Sequence, residues 1–158
     1  MQTQMFLGNM PGGVVIRVSG RGTMHESPAF RAAAELALQR GPLVCDMASC
    51  DYLDSTFLGC LVGVRKLAEQ HAQRFSIVAD SSQQIKLFSL SALNKYFDFD
   101  DECPSTIGEW MEIEPDQLDV KALGRHVLVC HECLAEQGGA ESQAFEKVVQ
   151  RLSIELDG

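Results

Sequence analysis

The chain has 158 residues, a net charge of −9 and a 46% hydrophobic composition, enough for one domain with an appendage and a core that needs no disulfide staples. The acidic balance argues against nucleic-acid binding and against an anionic membrane surface, and favours protein partners that present basic patches. No apolar run approaches the ~20 residues that span a bilayer, and the first residues lack the basic start and long apolar stretch of a signal peptide, so a cytoplasmic protein is expected.

In chain order, residues 4–7 read as a short first strand, and Asn9, Pro11, Gly12 and Gly13 as a turn. Residues 14–18 are β-branched and apolar apart from Arg17, which predicts a strand ended by Gly20-Arg21-Gly22. Ser27 followed by Pro28 starts a helix that Gly41-Pro42 stops. Residues 43–47 form a continuous apolar strand ending in an acid, followed by a loop over 48–54. A helix is expected over 57–70, a strand over 75–79, a short helix over 82–91, a last strand over 96–99 and a terminal helix over 106–111. The six cysteines are expected to be free thiols in a reducing compartment, with Cys45 and Cys60 as small core residues.

The character changes after Pro115. Residues 116–135 and 141–156 carry apolar stripes, Leu123, Val127, Cys130 and Leu134 on the first and Phe145, Val148, Leu152 and Leu156 on the second. Joined by a Gly-rich break, they predict a helical hairpin. One pairwise contact cannot hide both stripes, so a third surface is needed, either the open side of the sheet or a second copy of the chain in a homodimer. The whole is expected to be an α/β fold: a mixed sheet of about four to five strands with helices mainly on one face over residues 1–112, and a C-terminal helical hairpin over 113–158.

The most informative stretch is Tyr52 to Val64, YLDSTFLGCLVGV. Asp54, Ser55 and Thr56 stand before an apolar helix broken by Gly59 and Gly63. Read from spacing alone, Ser55 is an N-cap. The two glycines read as a close-packing face against the sheet, or, at Gly59, as an opening for a partner beside Ser55. Phe57, Leu58, Leu61 and Val62 cannot share one inward stripe, so apolar surface near the first turn is expected to be exposed for a partner.

The run Leu43-Val-Cys-Asp-Met, then Tyr52-Leu-Asp-Ser-Thr-Phe-Leu-Gly59, then an apolar helix, resembles the STAS domain family, which includes anti-sigma factor antagonists. Gly20-Arg-Gly, residues 75–79, 85–90 and Tyr96-Phe97 fall where that family has its corresponding elements. The resemblance implies a non-enzymatic protein switch without a cofactor. Ser55 would be the phosphoacceptor, with Thr56 secondary, and Asp54, Thr56, Phe57, Leu58, Gly59 and Thr23 would meet the partner. That partner would be an anti-sigma factor that is also a serine kinase, bound when Ser55 is unphosphorylated and released on phosphorylation, with a phosphatase to reset the site. Thr23 stands where such antagonists carry an acid. A constitutive STAS scaffold in a signalling assembly and a small-ligand sensor are the competing readings.

His126, Cys130 and Cys133 share one side of the expected helix, with His131 pointing elsewhere. Structural zinc needs four ligands and no second CxxC is present, so Cys130 is read as part of the apolar stripe and no metal is expected. The acids at 98–102 lack EF-hand spacing and read as a solvated loop.

Overall fold

A computed structural model describes residues 3–88, 93–115 and 117–136. The first two strands, β1 (Gln4–Met10) and β2 (Gly13–Gly22), form a hairpin in register from Gln4 opposite Ser19 to Met10 opposite Gly13. Its tip is Pro11-Gly12, with Gly12 at φ 78. Proline at the first turn position and a positive φ at the second define a type II turn, and glycine takes that φ without strain.

α1 (Ser27–Leu38) leads to β3 (Leu43–Asp46), β4 (Cys50–Leu53), α2 (Ser55–Gln70), β5 (Phe75–Val78), α3 (Ser81–Phe88), a 3-10 turn at Leu93–Lys95, β6 (Asp98–Asp100), β7 (Ile107–Glu112) and α4 (Val120–Ala135). The sheet runs β6-β5-β3-β2-β1-β7, with β4 paired to the far end of β2. β2, β3, β5 and β6 are parallel neighbours, while β1 is antiparallel to both β2 and β7.

This is the mixed sheet that the sequence implies, with seven strands rather than four to five. The two additional strands fall where a loop (48–54) and a terminal helix (106–111) are expected. β4 holds in place because Cys50 and Leu53 are buried and pair with Gly20 and Gly22. Residues 107–112 become an edge strand because β1 offers an open row of backbone groups. The connection from β6 crosses the whole sheet to reach it. That path is about 24 Å at ~4.8 Å per strand, close to the full reach of the link from Asp100 to Ile107.

The link therefore runs nearly straight over one face. There Cys103 and Trp110 cover Val15, Val44 and Val78. The Arg17 guanidinium lies 4.2 Å from the Trp110 ring centroid and its Nε donates to Asp46 at 2.9 Å. The opposite face carries the main core. Ile16 and Val18 of β2, Phe30 of α1 and Phe57 and Leu61 of α2 are fully buried there, with the Phe30 and Phe57 rings 5.0 Å apart. These side chains fill the space between β2 and the two helices.

α4 forms a third layer. It lies across α2 rather than on the sheet, and Cys130 and Leu134 join the main core. The first helix of the expected hairpin thus packs on the chain's own helical layer rather than on the open side of the sheet. The second, 141–156, lies outside the described residues.

Candidate functional site

Residues 56–64 of α2 are all buried. A helix that is apolar on every side needs cover on every side. The sheet and α1 take one side and α4 takes the other. The apolar first turn expected to be open to a partner is closed by the chain itself: Phe57 is 0% exposed, Leu58 8% and Thr56 4%.

Gly59 explains how the two helices come so close. A Cβ at this position would lie 1.9 Å from the Cys130 carbonyl oxygen. Gly63 faces the Arg31 side chain and the Cys133 sulfur. The glycine face therefore looks toward α1 and α4, not toward the sheet as the packing reading had it. The opening at Gly59 is filled by α4.

The helix starts two residues before the expected 57, and its cap is Asp54 rather than Ser55. Asp54 has extended backbone, and its Oδ1 accepts from the Phe57 N–H at 2.8 Å. Its Oδ2 accepts from the Met24 N–H at 2.8 Å, and its own N–H donates to the Gly22 carbonyl at 3.0 Å. One carboxylate thus joins the start of α2 to the loop between β2 and α1. In that loop Thr23 donates its hydroxyl to Glu26 at 2.9 Å. An acid does stand in this turn, three residues after Thr23.

Ser55 is then the first residue of α2, half-buried. Its Oγ lies 3.1 Å from Nε2 of His131 on α4. Met24, whose N–H binds the Asp54 cap, and Tyr52, three residues before Ser55 in the chain, are both exposed. Asp54, Ser55 and Thr23 are brought together at this end of the fold, while Thr56, Phe57, Leu58 and Gly59 sit beneath. His131 is what sequence reasoning missed. The signal available was the uncovered side of α2, which requires a helix from elsewhere in the chain.

Burial pushes the His131 imidazole below its ordinary value of 6.5, and the Asp54 charge opposes that in part. Docked α4 thus holds a neutral ring. Once α4 lifts away, the ring regains its ordinary affinity and takes up a proton at any pH below about 6.5. This contribution to docking is complete above that pH, falls as pH drops toward the lowered value, and levels off beneath it. Amide exchange along α4 should therefore accelerate relative to the sheet as the solution is acidified through that window. A His131→Gln variant, which keeps a partner for Ser55, should lose this part of the pH response.

Behind His131, a second set of groups meets. His126 Nε2 is 2.6 Å from the Ser27 hydroxyl and 3.5 Å from the Cys130 sulfur. The Cys60 sulfur completes a group of three ligand atoms within 4.8 Å of one another. Cys133, paired with Cys130 by spacing, is not part of it. All six cysteines are free thiols.

The family model described as Mlab, STAS domain matches residues 7–99. The chain belongs to the STAS domain family. The match covers the block from the first hairpin through β6, including Asp54 and Ser55, and stops before β7 and α4. Among solved structures, the STAS domain here is similar to the anti-sigma factor antagonist SpoIIAA in its unphosphorylated form, at TM-score 0.51 and 18% identity, over 65% of this chain and 90% of that one. At that identity the likeness is one of fold. No curated protein matches the chain. Among the described residues, no helix is long and apolar enough to cross a membrane.

Proposed function

We propose that this STAS protein is a non-enzymatic regulatory switch that docks a protein partner at the start of α2, with Ser55 as its phosphoacceptor. The observation that carries the reading is the position of Ser55: first residue of α2, behind the Asp54 cap, half-buried, with its hydroxyl 3.1 Å from His131. The likeness of the fold to an antagonist with an unphosphorylated form supports the same reading. The partner is a serine kinase of the anti-sigma type, and a phosphatase reverses the modification. Thr56 is a poor second acceptor because it is buried.

Phosphorylation adds about −1.5 to −2 charges and three acceptor oxygens. The helix N-terminus tolerates that charge, so the domain stays folded. Asp54 already makes this end negative, and a partner surface fitted to a neutral hydroxyl meets uncompensated charge, which costs several kcal/mol. His131 adds a condition: at 3.1 Å from Oγ it occupies the space a phosphate needs, so α4 must move before Ser55 is modified. Phe57, Leu58 and Gly59 become partner contacts only in that displaced form.

Incubation with a serine kinase of this type and ATP, followed by mass spectrometry, should place the phosphate on Ser55. Ser55→Asp should weaken partner binding by about 100-fold or more, in line with a like-charge cost of several kcal/mol, while Ser55→Ala retains it. Normal labelling of Ser55→Ala, or full binding by Ser55→Asp, removes the reading.

A further inference from the structure

We propose that Cys60, His126 and Cys130 form a zinc site that fastens α4 to the α1–α2 pair. The three ligand atoms come from two helices and meet beneath the switch end of the fold, within 4.8 Å of one another. His126 and Cys130 are four residues apart, so they stand one above the other on the same side of α4. Cys60 follows Gly59, whose missing side chain lets the α4 backbone come down onto α2. The glycine that closes the helix contact is thus also what brings the third ligand within reach.

The spacing suits a tetrahedral ion. With Zn–S near 2.3 Å and Zn–N near 2.0–2.1 Å, the edges of the tetrahedron are about 3.5 Å between sulfur and nitrogen and about 3.8 Å between sulfurs. The Cys130 sulfur and His126 Nε2 already stand 3.5 Å apart. Ser27, fully buried on α1, places its hydroxyl 2.6 Å from the same Nε2, a neutral oxygen beside the ligand set for the fourth position.

Charge and donor type select the metal. Two thiolates and an imidazole are soft and borderline ligands that favour zinc over magnesium or calcium. Two thiolates neutralise a divalent ion, so the occupied site carries no net charge into a buried place, where an unbalanced charge is costly. Zinc enters as the two thiols release their protons to solvent.

The site does not depend on the role proposed for Ser55. The test uses the full chain, reduced and stripped with a chelator, titrated with zinc against a competing dye and, separately, with cobalt. One zinc per chain is expected, with cobalt giving thiolate charge-transfer bands of two-sulfur intensity. Cys60→Ser, Cys130→Ser and His126→Gln should each weaken zinc by on the order of 100-fold or more, as loss of an inner ligand exceeds the 10–100-fold typical of outer contacts. Cys133→Ser should leave it unchanged. The cobalt spectrum of the unaltered chain needs no variant to fold. Absence of thiolate bands, absence of stoichiometric zinc, or zinc lost with Cys133→Ser but kept with Cys60→Ser overturns the proposal.

Discussion

Replacing Gly59 with alanine should loosen α4 from the rest of the protein, although the same change would stabilise an isolated helix. Alanine in place of glycine within a helix gains about 1 kcal/mol. Here the added methyl would lie 1.9 Å from the Cys130 carbonyl oxygen, 2.5 Å from its carbon and 3.0 Å from its Cα. All three are backbone atoms, so no rotamer change relieves the clash, and α4 must retreat as a body. Overpacking of this kind costs about 1–3 kcal/mol, and the retreat also breaks the Ser55–His131 and Ser27–His126 contacts. The net expectation is a loss of about 1–3 kcal/mol, or a drop of roughly 2–4 °C in Tm for each kcal/mol at this chain length. Cys60 and Cys130, now almost wholly buried, should react with a thiol reagent about 5- to 100-fold faster, since each 1.4 kcal/mol of opening is a factor of ten. Thermal melting and labelling rates check both. A variant that melts higher than the parent, as helix propensity alone demands, would show that α4 is not seated on α2.

The sheet and its helices were legible where the residues carry a period or a run. Residues 14–18, 43–47 and 75–79 are apolar because they lie in parallel strands covered on both faces, and the structure keeps all three as strands. The edge was not legible for the opposite reason. In β7 almost every side chain is exposed, so no alternation appears, and the spacing of Ile107, Trp110 and Met111 imitates a helix. β4 was hidden because two of its four residues, Asp51 and Tyr52, face solvent. At the candidate site the half that lies in one stretch could be read: Asp54, Ser55 and the apolar turn after them. The other half comes from α4, 76 residues away in the case of His131. Nothing local in the sequence records that contact. What the sequence does record is its consequence, a helix too apolar to have an outer side. That surplus was assigned to a foreign partner when the cover was on the same chain. The zinc ligands were obscured in the same way: spacing offered Cys133 as the partner of Cys130, and only the fold supplies Cys60.

Asp54→Ala should be the most damaging single change to a polar side chain at this end of the molecule. Its carboxylate accepts two backbone hydrogen bonds, from Phe57 and Met24, each at 2.8 Å. A hydrogen bond to a charged group contributes about 1.5–3 kcal/mol, and a lost N-cap alone costs about 0.5–2 kcal/mol. Water can reach the Met24 side, which lies at the surface, and cannot easily replace the bond to Phe57, which is fully buried. A total loss of about 2–4 kcal/mol follows. Asn keeps an acceptor for Phe57 and should recover about half of it. The Asn variant also isolates the charge. Asp54 is the group that raises the His131 affinity for a proton against the effect of burial. With the charge removed, the ring in docked α4 should titrate lower still. By the linkage sign, α4 then goes on losing stability to a lower pH before levelling off, because the released ring still titrates at its ordinary value. Denaturant melts of Asp54→Ala and Asp54→Asn give the first effect, and an NMR titration of the His131 ring in Asp54→Asn gives the second. An unshifted His131 titration would mean that the carboxylate and the imidazole do not share the site at the start of α2.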